Sequence, residues 1–307
     1  MKGDKPLSGH GKEENRTGTI IRLQGGFYDV MTDIGEVRSR ARGNFRKRGI
    51  APVVGDDVLL HIEGEAGYIL EVNERSNFLV RPPIANIDQA LLLFSAAEPA
   101  FSAHLLDRFL VLIEAKEIKP VIVLTKMDLL EGEEERVVRE AIAAYRAIGY
   151  SVIETSSETL EGIEIVRPLL EGKTSVLAGQ SGVGKSSLLN ALEPELALET
   201  SHISKALGRG RHTTRHVTLM PLAAGLVADT PGFSNLDFPH EMEIEDLRWC
   251  FPEFVRLQDD CKFRGCLHLN EPGCAIKEAV ESGEIFPSRY SNYGMFVEEI
   301  KNRARRY

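Results

Sequence analysis

Between the apolar run Thr174-Ser175-Val176-Leu177-Ala178 and the helix-forming run Ser187-Leu188-Leu189-Asn190-Ala191-Leu192 stands Gly179-Gln180-Ser181-Gly182-Val183-Gly184-Lys185-Ser186. The pattern is G-x-x-x-x-G-K-[ST]. Few folds accept it, because a buried strand must end in a backbone curl and restart as a helix. Glycines let the N–H groups around Gln180, Ser181 and Val183 close on phosphates, and the next helix turns its positive end toward the same anion. Lys185 is placed to reach the β- and γ-phosphates, and the Ser186 hydroxyl to bind Mg²⁺, with Ser187 beside it. The fold this demands is an α/β sheet with ligand at the carboxyl ends of its strands.

Two further segments bear on the ligand. Thr125-Lys126-Met127-Asp128 follows the strand-like run Pro120–Leu124 and resembles the guanine-reading N-K-x-D element. The Asp128 carboxylate can accept from both guanine N1–H and the 2-amino group. Adenine lacks that donor pair and would leave Asp128 unmatched. The Lys126 stem can cover the base face. Thr125 replaces the usual Asn, so the amide that ties this loop to the phosphate loop is expected to be missing. Asp229-Thr230-Pro231-Gly232 ends the run Gly225–Ala228. There Asp229 can hold Mg²⁺ through water, and the Gly232 N–H can meet the γ-phosphate. Thr155-Ser156-Ser157, after Ser151–Glu154, reads as a second base loop through Ser156 and Ser157.

Their order is permuted. The base loops come first, then the phosphate loop, then Asp229–Gly232. An α/β sheet tolerates such rearrangement because its termini tend to lie close together at the surface. In this order, and with Gly210-Arg211-His212-Thr213-Thr214 and the downstream cysteines, the chain resembles the ribosome small-subunit-dependent GTPase A (RsgA) family from about Thr17 to about Ser288. The resemblance implies a circularly permuted GTPase that binds the 30S subunit and its 16S rRNA late in small-subunit assembly. It also implies an N-terminal OB domain, a C-terminal zinc domain and GTP/GDP with Mg²⁺.

The rest of the chain divides accordingly. Residues 1–16 read as a flexible tail. Residues 17–82 hold short alternating strands (Thr19–Leu23, Phe27–Thr32, Glu36–Arg40, Asp57–Ile62, Tyr68–Val72) broken by glycine turns, the pattern of a small OB-type barrel. Residues 83–236 alternate strands and helices, so a doubly wound, mostly parallel sheet is expected for the GTPase domain. Residues 237–307 are expected to form a helical zinc-binding domain. There Cys261, Cys266, His268 and Cys274 offer three thiolates and an imidazole within 14 residues, a set suited to a closed tetrahedral zinc. Cys250, between Trp249 and Phe251, reads as buried packing.

The net charge of −9 argues against RNA only until it is divided. Residues 1–50 hold 11 Lys/Arg against 6 Asp/Glu, a net of +5, which leaves −14 on the rest. Arg38, Arg40, Arg42, Arg46, Lys47 and Arg48 form a run with no acidic residue between them, a handle for RNA phosphates. Aromatic residues for base stacking are few in this region, Phe27 and Phe45 being the candidates. No signal core opens the chain, and no run approaches the roughly 20 apolar residues of a membrane span. A cytoplasmic monomer with no membrane partner is expected.

For hydrolysis, Phe233 stands after Gly232, where related enzymes use Gln to orient water. The intrinsic rate is therefore expected to be slow, with His212 or His240 as the substitute polar group. Thr213 or Thr214 can complete the Mg²⁺ shell. The competing readings are an ATP-dependent kinase or ATPase sharing only the phosphate loop, and a scaffold that binds nucleotide without turnover.

Overall fold

The structure, a computed structural model, describes residues 14–41, 45, 51–80, 82–196, 217–229 and 236–304. These residues fall into two compact units, one within Met1–Ile87 and Gly210–Met220, the other within Asp88–Arg209 and Pro221–Tyr307.

The first unit is a closed five-stranded barrel of β1 (Glu14–Gln24), β2 (Phe27–Thr32), β3 (Gly35–Ala41), β4 (Asp57–Glu63) and β5 (Ala66–Val72), in the order β1-β2-β3-β5-β4. Every pairing is antiparallel except β3 with β5. Alternate residues point inward, and Ile20, Val30, Val58, Leu60 and Ile69 are fully buried. Glu14, Asn15 and Arg16, expected in the tail, instead open β1. They pair with Ile62, His61 and Leu60 of β4, and Arg16 bridges Glu14 and Asp33. Phe45, expected as a stacking surface, is 6% exposed and belongs to the barrel core. A short hairpin, β6 (Phe78–Val80) with β7 (Pro83–Ala85), follows the barrel.

The second unit carries a six-stranded sheet. Its strands are β8 (Gln89–Ser95), β9 (Lys119–Thr125), β10 (Ser151–Glu154), β11 (Thr174–Ala178), β12 (Leu219–Leu222) and β13 (Gly225–Asp229), in the order β10-β9-β8-β11-β13-β12. The pairs β10/β9, β9/β8, β8/β11 and β11/β13 are all parallel. Every residue of β8 is buried, as a central strand covered on both faces requires. The helices of this sheet are α1 (Ala103–Glu114), α2 (Gly132–Ile148), α3 (Ile163–Leu170) and α4 (Lys185–Leu192). Ser102 caps α1 by accepting from the Leu105 N–H at 3.3 Å.

The chain runs outward from β8 through β9 to β10, then crosses back to lay β11 and β13 on the other side of β8. The direction of winding therefore reverses between β8 and β11. In an open α/β sheet the crevice at such a reversal is where ligand binds.

The C-terminal residues form α5 (Ile244–Leu247), α6 (Pro252–Leu257), α7 (Ala275–Ser282) and α8 (Pro287–Ala304). They share one apolar core, of Phe238, Phe251, Phe254, Ile276, Tyr293, Phe296 and others, with Val111 of α1. An ionic cluster is sealed beside it. Arg289 donates to Asp107 at 2.6 Å and to Glu253 at 2.7 and 3.2 Å, and all three side chains are at most 3% exposed. Asn292 and the Tyr145 hydroxyl donate to the same Asp107 carboxylate at 2.6 and 2.7 Å. A buried carboxylate is tolerated only when its lone pairs are filled in this way. Among the described residues no helix is long and apolar enough to cross a membrane.

Candidate functional site: a nucleotide crevice and a metal cluster

The phosphate loop leaves β11 at the reversal point and enters α4. At Gly179 (φ +151°) a Cβ would stand 2.3 Å from the Leu93 carbonyl oxygen of β8, so no side chain fits where the loop crosses the neighbouring strand. Gly184, at φ +93°, is the N-cap of α4, and its carbonyl accepts from the Leu188 N–H at 2.9 Å. Val183 is buried and pins the middle of the loop, whereas Gln180, Ser181 and Gly182 face outward. Lys185 folds back over the loop and donates to the Gly179 and Gln180 carbonyls, each at 2.8 Å. Ser186 is 7% exposed at the first turn of α4, with Ser187 half-buried beside it.

The base corner leaves β9, two strands away from β11. Lys126 takes the left-handed conformation (φ +57°), which turns the chain sharply into the short helical turn Met127–Leu129 and leaves Asp128 exposed. A non-glycine residue held there costs about 1–3 kcal/mol and persists where its surroundings over-determine it. Here they do. The Met127 N–H donates to the Thr155 carbonyl at 3.3 Å, the Thr155 hydroxyl donates to the Leu124 carbonyl at 3.0 Å, and Lys126 Nζ donates to the Glu98 carbonyl. The loop after β10 is fixed in turn. The buried Ser156 hydroxyl accepts from the Glu158 and Thr159 N–H groups at 3.2 and 3.0 Å, and Ser157 stands half-buried beside it.

The tie expected to be missing is present. The Thr125 hydroxyl donates to the Val183 carbonyl of the phosphate loop at 2.5 Å and is 3% exposed. A hydroxyl supplies the donor that an amide was expected to give. β8, between β9 and β11, ends close enough to both loops that a short side chain spans the gap. Thr125→Val keeps the shape and removes the donor, leaving a buried carbonyl unsatisfied at a cost of about 1–3 kcal/mol. Guanine-nucleotide affinity is expected to fall roughly 10-fold in titration calorimetry, and Thr125→Ser to restore it.

Asp229 ends β13, with its backbone registered against Leu177 of β11. It thus reaches the same strand-end edge as the phosphate loop. Gly232 and Phe233, with His212, Thr213 and Thr214, lie outside the described residues. His240 is exposed and lines a cavity with Asp237, Phe238, Glu299, Asn302 and Arg303. No phosphate-loop residue lines that cavity.

The second constellation lies in the C-terminal helices. The Sγ atoms of Cys261, Cys266 and Cys274 and a ring nitrogen of His268 all lie within 4.8 Å of one another. His268 Nδ1 is the inward nitrogen, 3.6 Å from Cys261 Sγ and 3.4 Å from Cys274 Sγ. The ligand loop is held from outside. Glu271 accepts from the Leu267 and Leu269 N–H groups at 3.0 and 2.8 Å. Tyr290 and Tyr293 hydroxyls donate to the His268 and Leu267 carbonyls at 2.7 and 2.8 Å. Burial lowers the His268 imidazole to about 4, so it stays neutral with a lone pair to offer. Burial and the neighbouring thiols raise Cys266 to about 12. Burial raises Cys274 as well, so these two buried thiols are poor anions alone, and a divalent cation between the four donors would reverse that balance. The donor set and its closure suit tetrahedral zinc. Cys250 is 3% exposed and stands in the apolar core, as packing.

A phosphate loop at the reversal point of a parallel sheet, with base loops placed earlier in the chain, defines a circularly permuted P-loop GTPase. The chain belongs to the RsgA family. The RsgA GTPase profile matches residues 72–239, and the RsgA N-terminal domain profile matches residues 17–69. The chain is 56% identical over 291 residues to a protein of Geobacillus thermodenitrificans named small ribosomal subunit biogenesis GTPase RsgA, covering 94% of this chain and 99% of that relative. It is 55% identical, with the same coverage, to the protein of that name from Shouchella clausii. Among solved structures it resembles YloQ, described as a circularly permuted GTPase, with a TM-score of 0.83 and 46% identity, covering 97% of this chain and 99% of that one. YjeQ from Thermotoga maritima has a TM-score of 0.83 and 39% identity, covering 94% of this chain and 99% of that one.

Proposed function

We propose that the chain hydrolyses GTP in the service of small ribosomal subunit biogenesis, binding the 30S subunit and its 16S rRNA in the cytoplasm as a monomer. The observation that carries the nucleotide half of this reading is the Thr125–Val183 hydrogen bond, which makes the base corner and the phosphate loop one unit. In it Asp128 accepts from the guanine edge, Lys126 covers the ring, and Ser156 and Ser157 line the base. The backbone of Gly179–Gly184 holds the phosphates, whose oxygens replace the two loop carbonyls as acceptors for Lys185. The Ser186 hydroxyl, Asp229 through water, and Thr213 or Thr214 would hold a Mg²⁺ bound with the nucleotide, which would neutralise phosphate charge. His212 or His240 stands in for the missing glutamine, and the Gly232 N–H senses the γ-phosphate.

The domains divide the work. Residues 17–82 hold RNA, 83–236 bind and cleave GTP, and 237–307 carry zinc on Cys261, Cys266, His268 and Cys274. The names of the relatives support the ribosomal half of the reading. Its test is turnover of GTP with and without purified 30S subunits. Stimulation by roughly 10²-fold, the scale of one positioned general base or charge, is expected. No stimulation would leave a binding module.

Metal analysis of the native chain is expected to find one zinc per molecule. Cys274→Ser is expected to lose it and to melt roughly 10 °C lower, since the lost cross-link is worth several kcal/mol. A metal-free wild type, or an unchanged melting point in the variant, would refute this assignment.

A further inference from the structure

The barrel has four described arginines on its strands β1 and β3, and they fall into two kinds. Arg16 and Arg22, on β1, are occupied. Arg16 pairs with Glu14 and Asp33, and Arg22 with Asp29 at 2.7 Å and Glu36 at 2.9 Å. Arg38 and Arg40, on β3, are exposed and have no carboxylate partner among the described residues. Both guanidiniums instead lie 4.6 Å from the ring centre of Phe27 on β2. Two cations are thus held on an aromatic platform, and Asp29 and Glu36 of the same strand pair are already bonded to Arg22.

The barrel closure adds a second aromatic. Where β3 pairs in parallel with β5, Arg40 stands opposite Tyr68, and Tyr68 stands opposite His61 of β4. Asn15 of β1 follows, with its Oδ1 3.0 Å from His61 Nδ1. One outward row therefore crosses the barrel from Phe27 through Arg40 and Tyr68 to His61. It depends on Gly67, the partner of Ser39, where a Cβ would stand 2.1 Å from the Ser39 hydroxyl oxygen. Any side chain there would meet the buried Ser39 side chain and Val37 Cγ1, 3.0 Å away. Tyr68 is 37% exposed, with the buried Gly67 and Ile69 on either side of it.

We propose that this row is a stacking face for single-stranded RNA, with a base on the Tyr68 ring and the flanking phosphates on Arg38 and Arg40. This rests on the RNA-contact part of the proposed function and says where and how that contact is made. The chemistry selects the partner. Fixed guanidiniums suit phosphate oxygens, and an exposed ring beside them suits an unpaired base, which a duplex keeps stacked inside itself. The row offers π-faces more than directed donors, so it tolerates many sequences.

The test uses the full chain and a fluorescein-labelled single-stranded RNA of about 12 nucleotides, within the footprint of an OB fold, alone or annealed to its complement. Tyr68→Ala is expected to weaken single-strand binding about 10-fold without changing its salt dependence, and Tyr68→Phe to restore it. Arg38→Ala with Arg40→Ala is expected to weaken binding and to lower the slope of log affinity against log salt by about 1.4, since each contact to a single strand contributes about 0.7. GDP affinity and melting temperature are expected to stay at wild-type values in all three variants. Wild-type RNA affinity in Tyr68→Ala and in the double variant, duplex binding tighter than single strand, or equal competition by an acidic peptide would overturn the proposal. Co-sedimentation with 30S subunits separates the two readings. If the wild type and the Tyr68 and Arg38/Arg40 variants co-sediment equally, the stacking face fails while the GTPase reading stands. If the wild type gains no turnover from 30S subunits, the proposed function fails.

Discussion

Asp128→Asn is expected to lower GTP and GDP affinity by roughly 10²–10⁴-fold and to make xanthine nucleotides the better ligands. In the proposed role the carboxylate would accept two N–H bonds from guanine. The amide keeps one acceptor and sets its own NH₂ against the guanine 2-amino group. Losing one charge-assisted bond and leaving two donors opposed costs about 3–6 kcal/mol. Xanthine has a carbonyl where guanine has that amino group, so the same NH₂ finds an acceptor. Asp128 is exposed on its turn, so the substitution disturbs no packing. The left-handed Lys126 and the Met127–Thr155 hydrogen bond that aim it are untouched. Titration with GDP, XDP and ADP checks the outcome. Unchanged guanine preference would place the base elsewhere and favour an ATPase.

Arg289→Met is expected to be the most destabilising single change in the second unit, by about 3–5 kcal/mol. Asp107 is 0% exposed and Glu253 3%, and the guanidinium is the cation that both accept from. Removing it strands two carboxylates in apolar surroundings, and one of them must take up a proton or drag in water. At about 2–4 °C per kcal/mol for a unit of this size, the melting temperature should fall by roughly 10–15 °C. Filling the cluster with matched apolar residues at all three positions, together with Tyr145→Phe and Asn292→Leu to remove the two donors that Asp107 would leave unmatched, is expected to recover most of that loss, because the penalty lies in the orphaned charge. Thermal unfolding followed by circular dichroism reads both. The location matters for function. Asp107 lies on α1, beside the sheet that bears the nucleotide loops, whereas Arg289 lies on α8, whose Tyr290 and Tyr293 hydroxyls steady the metal loop.

The strands and the phosphate loop were legible because each signal is local. Alternating residues marked β1 to β5, apolar runs marked β8, β9, β11 and β13, and the glycine–lysine spacing marked the turn into α4. The cysteine–histidine set was legible for the same reason, as its four ligands are close in sequence. What stayed hidden depends on which strands are neighbours. Thr125 looked deficient because nothing in its own segment shows that Val183 lies within reach. Tyr68 was passed over because its aromatic and cationic neighbours come from β2 and β3, through the parallel closure. Phe45 looked available because an aromatic among arginines reads as surface, whereas the barrel needed it inside. Asp107 and Arg289 stand 182 residues apart, and no spacing rule joins them.

The most direct measurement of the central claim is a crystal structure of the chain with GDP and Mg²⁺. The purine ring is expected against Lys126, with both Asp128 carboxylate oxygens in hydrogen-bond reach of its N1 and 2-amino groups. A diphosphate wrapped by the backbone of residues 179–186 is also expected, with the Thr125–Val183 bond intact between the two. A purine lying away from the Thr125–Asp128 corner while the diphosphate occupies that loop would contradict the claim.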